Sequence, residues 1–215
     1  MRHRRYGSLI GAAAAVTLLV GCQSEGAPAL SLAGLTKTAD AVPTAGAATC
    51  PLAFDIAEAA KAAGTDGDAA PGPGSPEEPG EPVATSEGGK RAEAGTPPAQ
   101  NPGVLISCTF HIGREKVSVH TVATRKPQAV APLAPVVQSA SGSSSDELIA
   151  YLGQVGKAGT GEPVVTAGGN VATVRLKLDG EGDAALVVGA GASGSSSLGK
   201  EKVASLAKSL AEQLG

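Results

Sequence analysis

Apolar and polar residues alternate from Val104 onward. Val104, Ile106, Cys108, Phe110 and Ile112 fall on one side of an extended chain, and Ser107, Thr109 and His111 fall on the other. Gly113-Arg114 follows as a two-residue Gly-X connection, the sequence of a type II′ turn. Val117, Val119, Thr121 and Ala123 carry the alternation on. The turn sets Phe110 opposite Val117, Cys108 opposite Val119, His111 opposite Lys116 and Ser107 opposite His120, so the apolar sides of the two strands agree. A second alternation places Ala172, Val174, Leu176 and Leu178 against Thr173, Arg175 and Lys177. Asp179-Gly180-Glu181-Gly182 reads as its turn. Ala184, Leu186 and Val188 continue the same apolar side, with the register left open.

Three segments change to a helical period. Leu52, Ile56, Ala59, Ala60 and Ala63 predict a helix over about 51–63, with Pro51 at the first position and Gly64 as the stop. Ser144 and Glu147 have the spacing of a capping box, ahead of an apolar stripe of Leu148, Ile149, Leu152 and Val155 that Gly156 and Gly159 end. Val203, Leu206, Leu210 and Leu214 share one side of a last helix. Residues 125–145, with Pro127, Pro132 and Pro135, read as an irregular crossover. The order is α-β-β-α-β-β-α. The expected fold is α+β, a two-layer sandwich in which a four-stranded antiparallel sheet of two hairpins is covered on one face by three helices.

Composition separates this domain from the rest of the chain. Residues 65–102 hold eight Pro and seven Gly, and seven acidic against two basic residues, a net of −5. Such a stretch buries too little apolar area to offset its ordering entropy and is expected to be a disordered acidic insertion. Residues 23–48 are Ala, Gly, Ser, Thr and Pro with little periodicity. As a coil of about 26 residues they reach on the order of 30 Å. Only 2 % of residues are aromatic and Trp is absent, which excludes base-stacking surfaces. A net charge of −3 and a pI near 5.6 argue against a polyanion-binding protein, nucleic-acid binders included, because the chain as a whole has no phosphate-neutralising excess.

The first residues read as an address. Arg2, Arg4 and Arg5 precede an apolar stretch from Ser8 to Val20, too short to span a bilayer as a helix but suited to a signal peptide. It ends in Leu19-Val20-Gly21-Cys22, which resembles a bacterial lipobox. That resemblance implies cleavage before Cys22, acylation of Cys22, and a chain held on the outer face of the cytoplasmic membrane. Arg4-Arg5 leaves the export route, general or twin-arginine, open. The expected domains are a signal peptide 1–21, a lipidated flexible tether 22–49, and one domain 50–215 that carries the insertion 65–102. In an oxidising compartment the two remaining cysteines, Cys50 and Cys108, read as a disulfide.

The lipobox, the tether, the Cys50-Pro51-Leu52 helix start, the second cysteine inside Leu105-Ile106-Ser107-Cys108-Thr109-Phe110 and the closing amphipathic helix resemble the small actinobacterial lipoproteins of the DUF3558 type. The likeness covers roughly 50–64 and 103–214, and the acidic insertion departs from it. It implies an exported, membrane-attached α/β domain and no settled activity.

Candidate chemistry is sparse. Gly189-Ala190-Gly191-Ala192-Ser193-Gly194 matches a dinucleotide fingerprint. It follows an antiparallel hairpin, and too little chain remains for a second parallel strand, so it reads as a flexible loop. His111 and His120 sit about 13 Å apart in the expected register, too far to share a metal. The serine runs lack a nucleophile elbow, and Glu77, Glu78 and Glu81 lie in the insertion. Lys200, Lys202 and Lys208 read as the wet side of the last helix. No catalytic residue, cofactor or metal is expected. His111, Lys116, His120, Arg175 and Lys177, joined by Ser107, Thr109, Ser118 and Thr173, project from the sheet face opposite the helices. That open polar-basic face is the candidate binding surface for an envelope protein, peptide or anionic polymer. The expected protein is a monomeric, non-enzymatic, lipid-anchored binding domain. The alternatives are an envelope hydrolase and a structural spacer that engages the wall.

Overall fold

The first hairpin is built in the register its pattern dictates. β3 (Gly103–Ile112) and β4 (Glu115–Thr124) pair antiparallel with Phe110 against Val117, Cys108 against Val119, His111 against Lys116 and Ser107 against His120. Gly113 at φ +58° makes the turn possible, in a conformation that a side chain disfavours. The computed structural model describes residues 29–65, 67–74, 81–88 and 100–215. The signal segment, Cys22, Glu77 and Glu78 lie outside these residues.

The other elements, in chain order, are α1 (Leu32–Asp40), α2 (Ile56–Ala62), β1 (Ala69–Pro71) and β2 (Ala84–Glu87) before the hairpin. After it come a 3-10 turn (Ala131–Leu133), α3 (Ala134–Ser141), α4 (Ser145–Lys157), β5 (Pro163–Val165), β6 (Val171–Leu176), β7 (Asp183–Ala190) and α5 (Lys200–Glu212). The sheet runs β1-β3-β4-β7-β6-β5, with β2 also paired to β3, and every pairing is antiparallel. In the second hairpin Ala172 faces Val188, Val174 faces Leu186 and Leu176 faces Ala184, which keeps the expected apolar side together.

The expected four-stranded sheet covered on one face by three helices is therefore corrected. The described residues form a seven-stranded sheet and five helices, and both sheet faces are covered. One face carries Val104, Ile106, Phe110, Val117, Val119, Val174 and Leu186 against α1, α2 and α5. The other carries Val122, Val171, Ala185 and Val187 against the 3-10 turn, α3 and α4. β7 serves both cores, because its neighbours Leu186 and Val187 point to opposite sides and are each at most 2 % exposed.

Each added element has a local cause. In the stretch expected as a tether, Ser31 caps α1 by accepting from Gly34 N at 3.1 Å, and Leu35 and Ala39, one turn apart, enter the core. Asp179 N donates to Leu30 O at 2.7 Å just ahead of this helix, at the β6–β7 turn. Within the stretch expected as a disordered insertion, β1 and β2 occupy the edge that β3 offers. In the crossover, Pro135 sits in the first turn of α3, where its missing N–H breaks no helical bond. The helix expected from Pro51 instead begins at Ile56, because Asp55 accepts from Glu58 N at 2.8 Å. The predicted capping box is formed. Ser144 accepts from Glu147 N, and Ser144 N donates to the Glu147 carboxylate at 2.8 Å. Those bonds hold the Glu147 carboxyl below its ordinary range. The face α4 buries is rotated from the expected stripe: Tyr151 and Val155 are inside and Ile149 is 68 % exposed.

The Cys50–Cys108 disulfide is formed, with Cα atoms 5.5 Å apart, and clips the chain ahead of α2 to the middle of β3. Beside it Phe54 meets Phe110 edge to face, with ring centroids 6.2 Å apart. Among the described residues no helix is long and apolar enough to cross a membrane.

Candidate functional site

The β3–β4 pairing lays out the polar residues of the second face in rows. His120 stands opposite Ser107, Ser118 opposite Thr109 and Lys116 opposite His111. All six are half-buried. α3 and α4 pack over the β5–β7 half of this face, so the polar rows lie beside the helical cover and not beneath it.

Ser107, His111, Lys116 and His120 each have a defined partner. Ser107 Oγ and His120 Nδ1 are 2.9 Å apart. His111 Nδ1 lies 3.0 Å from Gly72 O, and since a carbonyl only accepts, this nitrogen carries the proton in that bond. Lys116 Nζ is 3.0 Å from Glu81 Oε2, an exposed pair of small energetic weight. Glu81 thereby comes from its segment onto the hairpin.

The five residues expected to share one face do not form one cluster. His111, Lys116 and His120 are together on β3 and β4. Arg175 lies on β6, two strands from β4, at about 4.8 Å per strand. Its guanidinium donates to Ala158 O at 3.3 Å and pairs with Asp183 Oδ1 at 3.2 Å. The other Asp183 oxygen accepts from Gln128 N and Ala129 N, at 2.8 and 2.9 Å. This network fastens the chain that leads into α3 and employs Arg175 structurally. Lys177 lies beyond the end of β6 and is exposed. Thr173 is fully buried, because Tyr151 Oη donates to its Oγ1 at 2.7 Å. Burial pushes the Tyr151 phenol up to about 12.

Burial pushes the His120 imidazole below the usual histidine range. The unfolded chain then binds this proton more readily than the folded one. The stability contributed by the neutral ring is complete above the unfolded value of about 6.5 and declines as pH falls beneath it. His120 is expected to titrate below the usual histidine value of about 6.5 in proton NMR, and the wild type is expected to lose more stability between pH 7.5 and pH 5 than His120→Gln. Titration of His120 at or above 6.5 contradicts this.

Two residues that the sequence pattern does not single out shape the Gly-rich loop after β7. Asn170, fully buried, donates through Nδ2 to Ala140 O at 2.9 Å and to Gly191 O at 3.2 Å. Glu115 accepts from Ser197 N at 2.7 Å and from the Ser197 hydroxyl. Their signals are faint: an Asn after two glycines, and an acid at the start of a strand. Among the described residues no group of three or more His, Cys, Asp or Glu is placed to hold a metal ion.

Comparison with family models, with curated proteins and with solved structures gives no match. What the arrangement does is argued from its own residues.

Proposed function

We propose that this chain is an exported lipoprotein of the cell envelope, anchored through Cys22, whose domain binds an envelope partner without catalysing a reaction. The observation that carries the binding role is the patch of Ser107, Thr109, His111, Lys116, Ser118 and His120, left half-open on an otherwise covered sheet. Its hydroxyls, imidazoles and single ammonium suit a polar or anionic envelope polymer or peptide. The Cys50–Cys108 disulfide supports an oxidising compartment. The lipobox-like Leu19-Val20-Gly21-Cys22 and the resemblance to DUF3558-type lipoproteins support the membrane address.

Two measurements test the reading. In cells labelled with a palmitate analogue, the chain is expected to take up label and sediment with membranes, and Cys22→Ser is expected to lose both. With isolated cell-wall sacculi, the full chain is expected to co-sediment, and Lys116→Glu combined with Ser118→Trp is expected to abolish this. Label on Cys22→Ser rejects the anchor; undiminished co-sedimentation of the double variant rejects the surface. The Ser107–His120 pair supports a second reading, a hydrolase. Labelling of the chain by a fluorophosphonate, lost in Ser107→Ala, favours that reading over the first.

A further inference from the structure

At the β3–β4 turn the other side of the sheet ends in an open groove of about 400 Å³. Ile112 and Leu198, 5 % and 7 % exposed and both part of the core with α2 and α5, form its floor. An adjoining groove of about 350 Å³ shares Thr65 and Gly67 with it and continues past Lys61.

Both walls are tied to the hairpin. Gly113 N donates to Asp68 O at 2.7 Å. Gly67 comes so close that a Cβ on it would stand 2.9 Å from Gly113 N, so this wall requires glycine. On the other side, the Glu115 carboxylate holds the backbone of Ser197, just ahead of α5. The groove is therefore set by hydrogen bonds that exist before anything enters it, which lowers the ordering cost of binding.

Its charge is out of keeping with the chain. The protein carries 17 Lys and Arg against 20 Asp and Glu. Yet Arg114 and Lys202 line the groove and Lys61 lines its continuation. The three cations come from a turn and two different helices. None has an ion pair or side-chain hydrogen bond with another described residue. Of the two carboxylates among the described lining residues, Glu115 is engaged by Ser197, and Asp68 stands exposed at the rim. Unpaired cations around one concavity attract multivalent anions, and the planar fork of an Arg beside the point charge of a Lys suits phosphate oxygens.

We infer that this groove binds an oligoanion with closely spaced phosphate groups, held by Arg114 and Lys202 and extended toward Lys61. The site lies across the sheet from the His111–Lys116 patch and goes beyond the binding role given to that patch. Either can fail without the other.

Titration calorimetry of the full chain in detergent with tripolyphosphate tests it. Saturable binding is expected at low salt and is expected to weaken at physiological salt. Arg114→Glu and Lys202→Glu are each expected to raise Kd at least tenfold, with Arg114→Ala as the milder variant. Lys208→Glu, the same charge change on the far turn of α5, is expected to stay within twofold. Competition by poly(glycerol phosphate) assigns the phosphates to a polymer backbone, and binding of tripolyphosphate without that competition assigns them to a free oligophosphate. Absence of saturable binding, or an equal loss in Lys208→Glu, overturns the inference.

Discussion

Phe110→Ala is expected to destabilise the folded chain by about 3–5 kcal/mol, the range for removing a buried aromatic ring from a packed core. Phe110 is 1 % exposed, pairs with Val117 across β3 and β4, and meets Phe54 edge to face. The cavity has little means of collapse. The residues around it are held by the sheet register on one side and by the disulfide at Cys108, two positions away, on the other. Phe110→Leu keeps most of the volume and is expected to lose less than half as much. Urea unfolding followed by far-UV circular dichroism measures both, and a Phe110→Ala midpoint within error of wild type contradicts the packing described above.

Opening the Cys50–Cys108 bridge is the second large effect. The bridge joins residues 58 apart in sequence. In the chain-entropy account, closing such a loop in the unfolded state stabilises the fold by about 4 kcal/mol. With a urea m-value of about 2 kcal/mol/M, the midpoint is expected to fall by about 2 M when the bridge is reduced. Cys50→Ala combined with Cys108→Ala is expected to match the reduced wild type and to be insensitive to reductant. Equal midpoints for oxidised and reduced protein rule the account out. The two effects are not expected to add, because Phe110 and Cys108 share one core.

Where alternation was strict, the sequence alone specified structure down to individual cross-strand pairs. The two-residue Gly113-Arg114 turn selects the register of β3 on β4, and a one-residue slip would put Val104, Ile106 and Phe110 on the opposite face. The elements that went unread lack such a pattern. α1 buries Leu35 and Ala39 and packs Leu32 at the margin of the core, and β1 and β2 are three and four residues long. Such segments exist because a partner surface accepts them, which no local period announces. The expected binding face is divided for a related reason. Thr173 and Arg175 alternate as wet residues do, but Tyr151 covers one and Asp183 employs the other. A polar side chain satisfied by a distant partner looks, in sequence, the same as one facing water. Of the candidate surface, His111, Lys116 and His120 were legible because all three sit on the one hairpin whose register was fixed.

The bond from Asp179 N to Leu30 O ties the first described residues to the β6–β7 turn. The described residues begin at Ala29, and seven peptide links separate it from the proposed anchor at Cys22, a span of at most about 25 Å when fully extended. For a chain anchored at Cys22 as proposed, covalent reach alone keeps Leu30, and with it the β6–β7 turn, close to the bilayer. β3 and β4 run ten residues away from that end, which carries the turn at Gly113 roughly 33 Å farther out. The groove around Arg114 thus lies at the pole opposite the β6–β7 turn, and the patch around His120 lies on the flank between them.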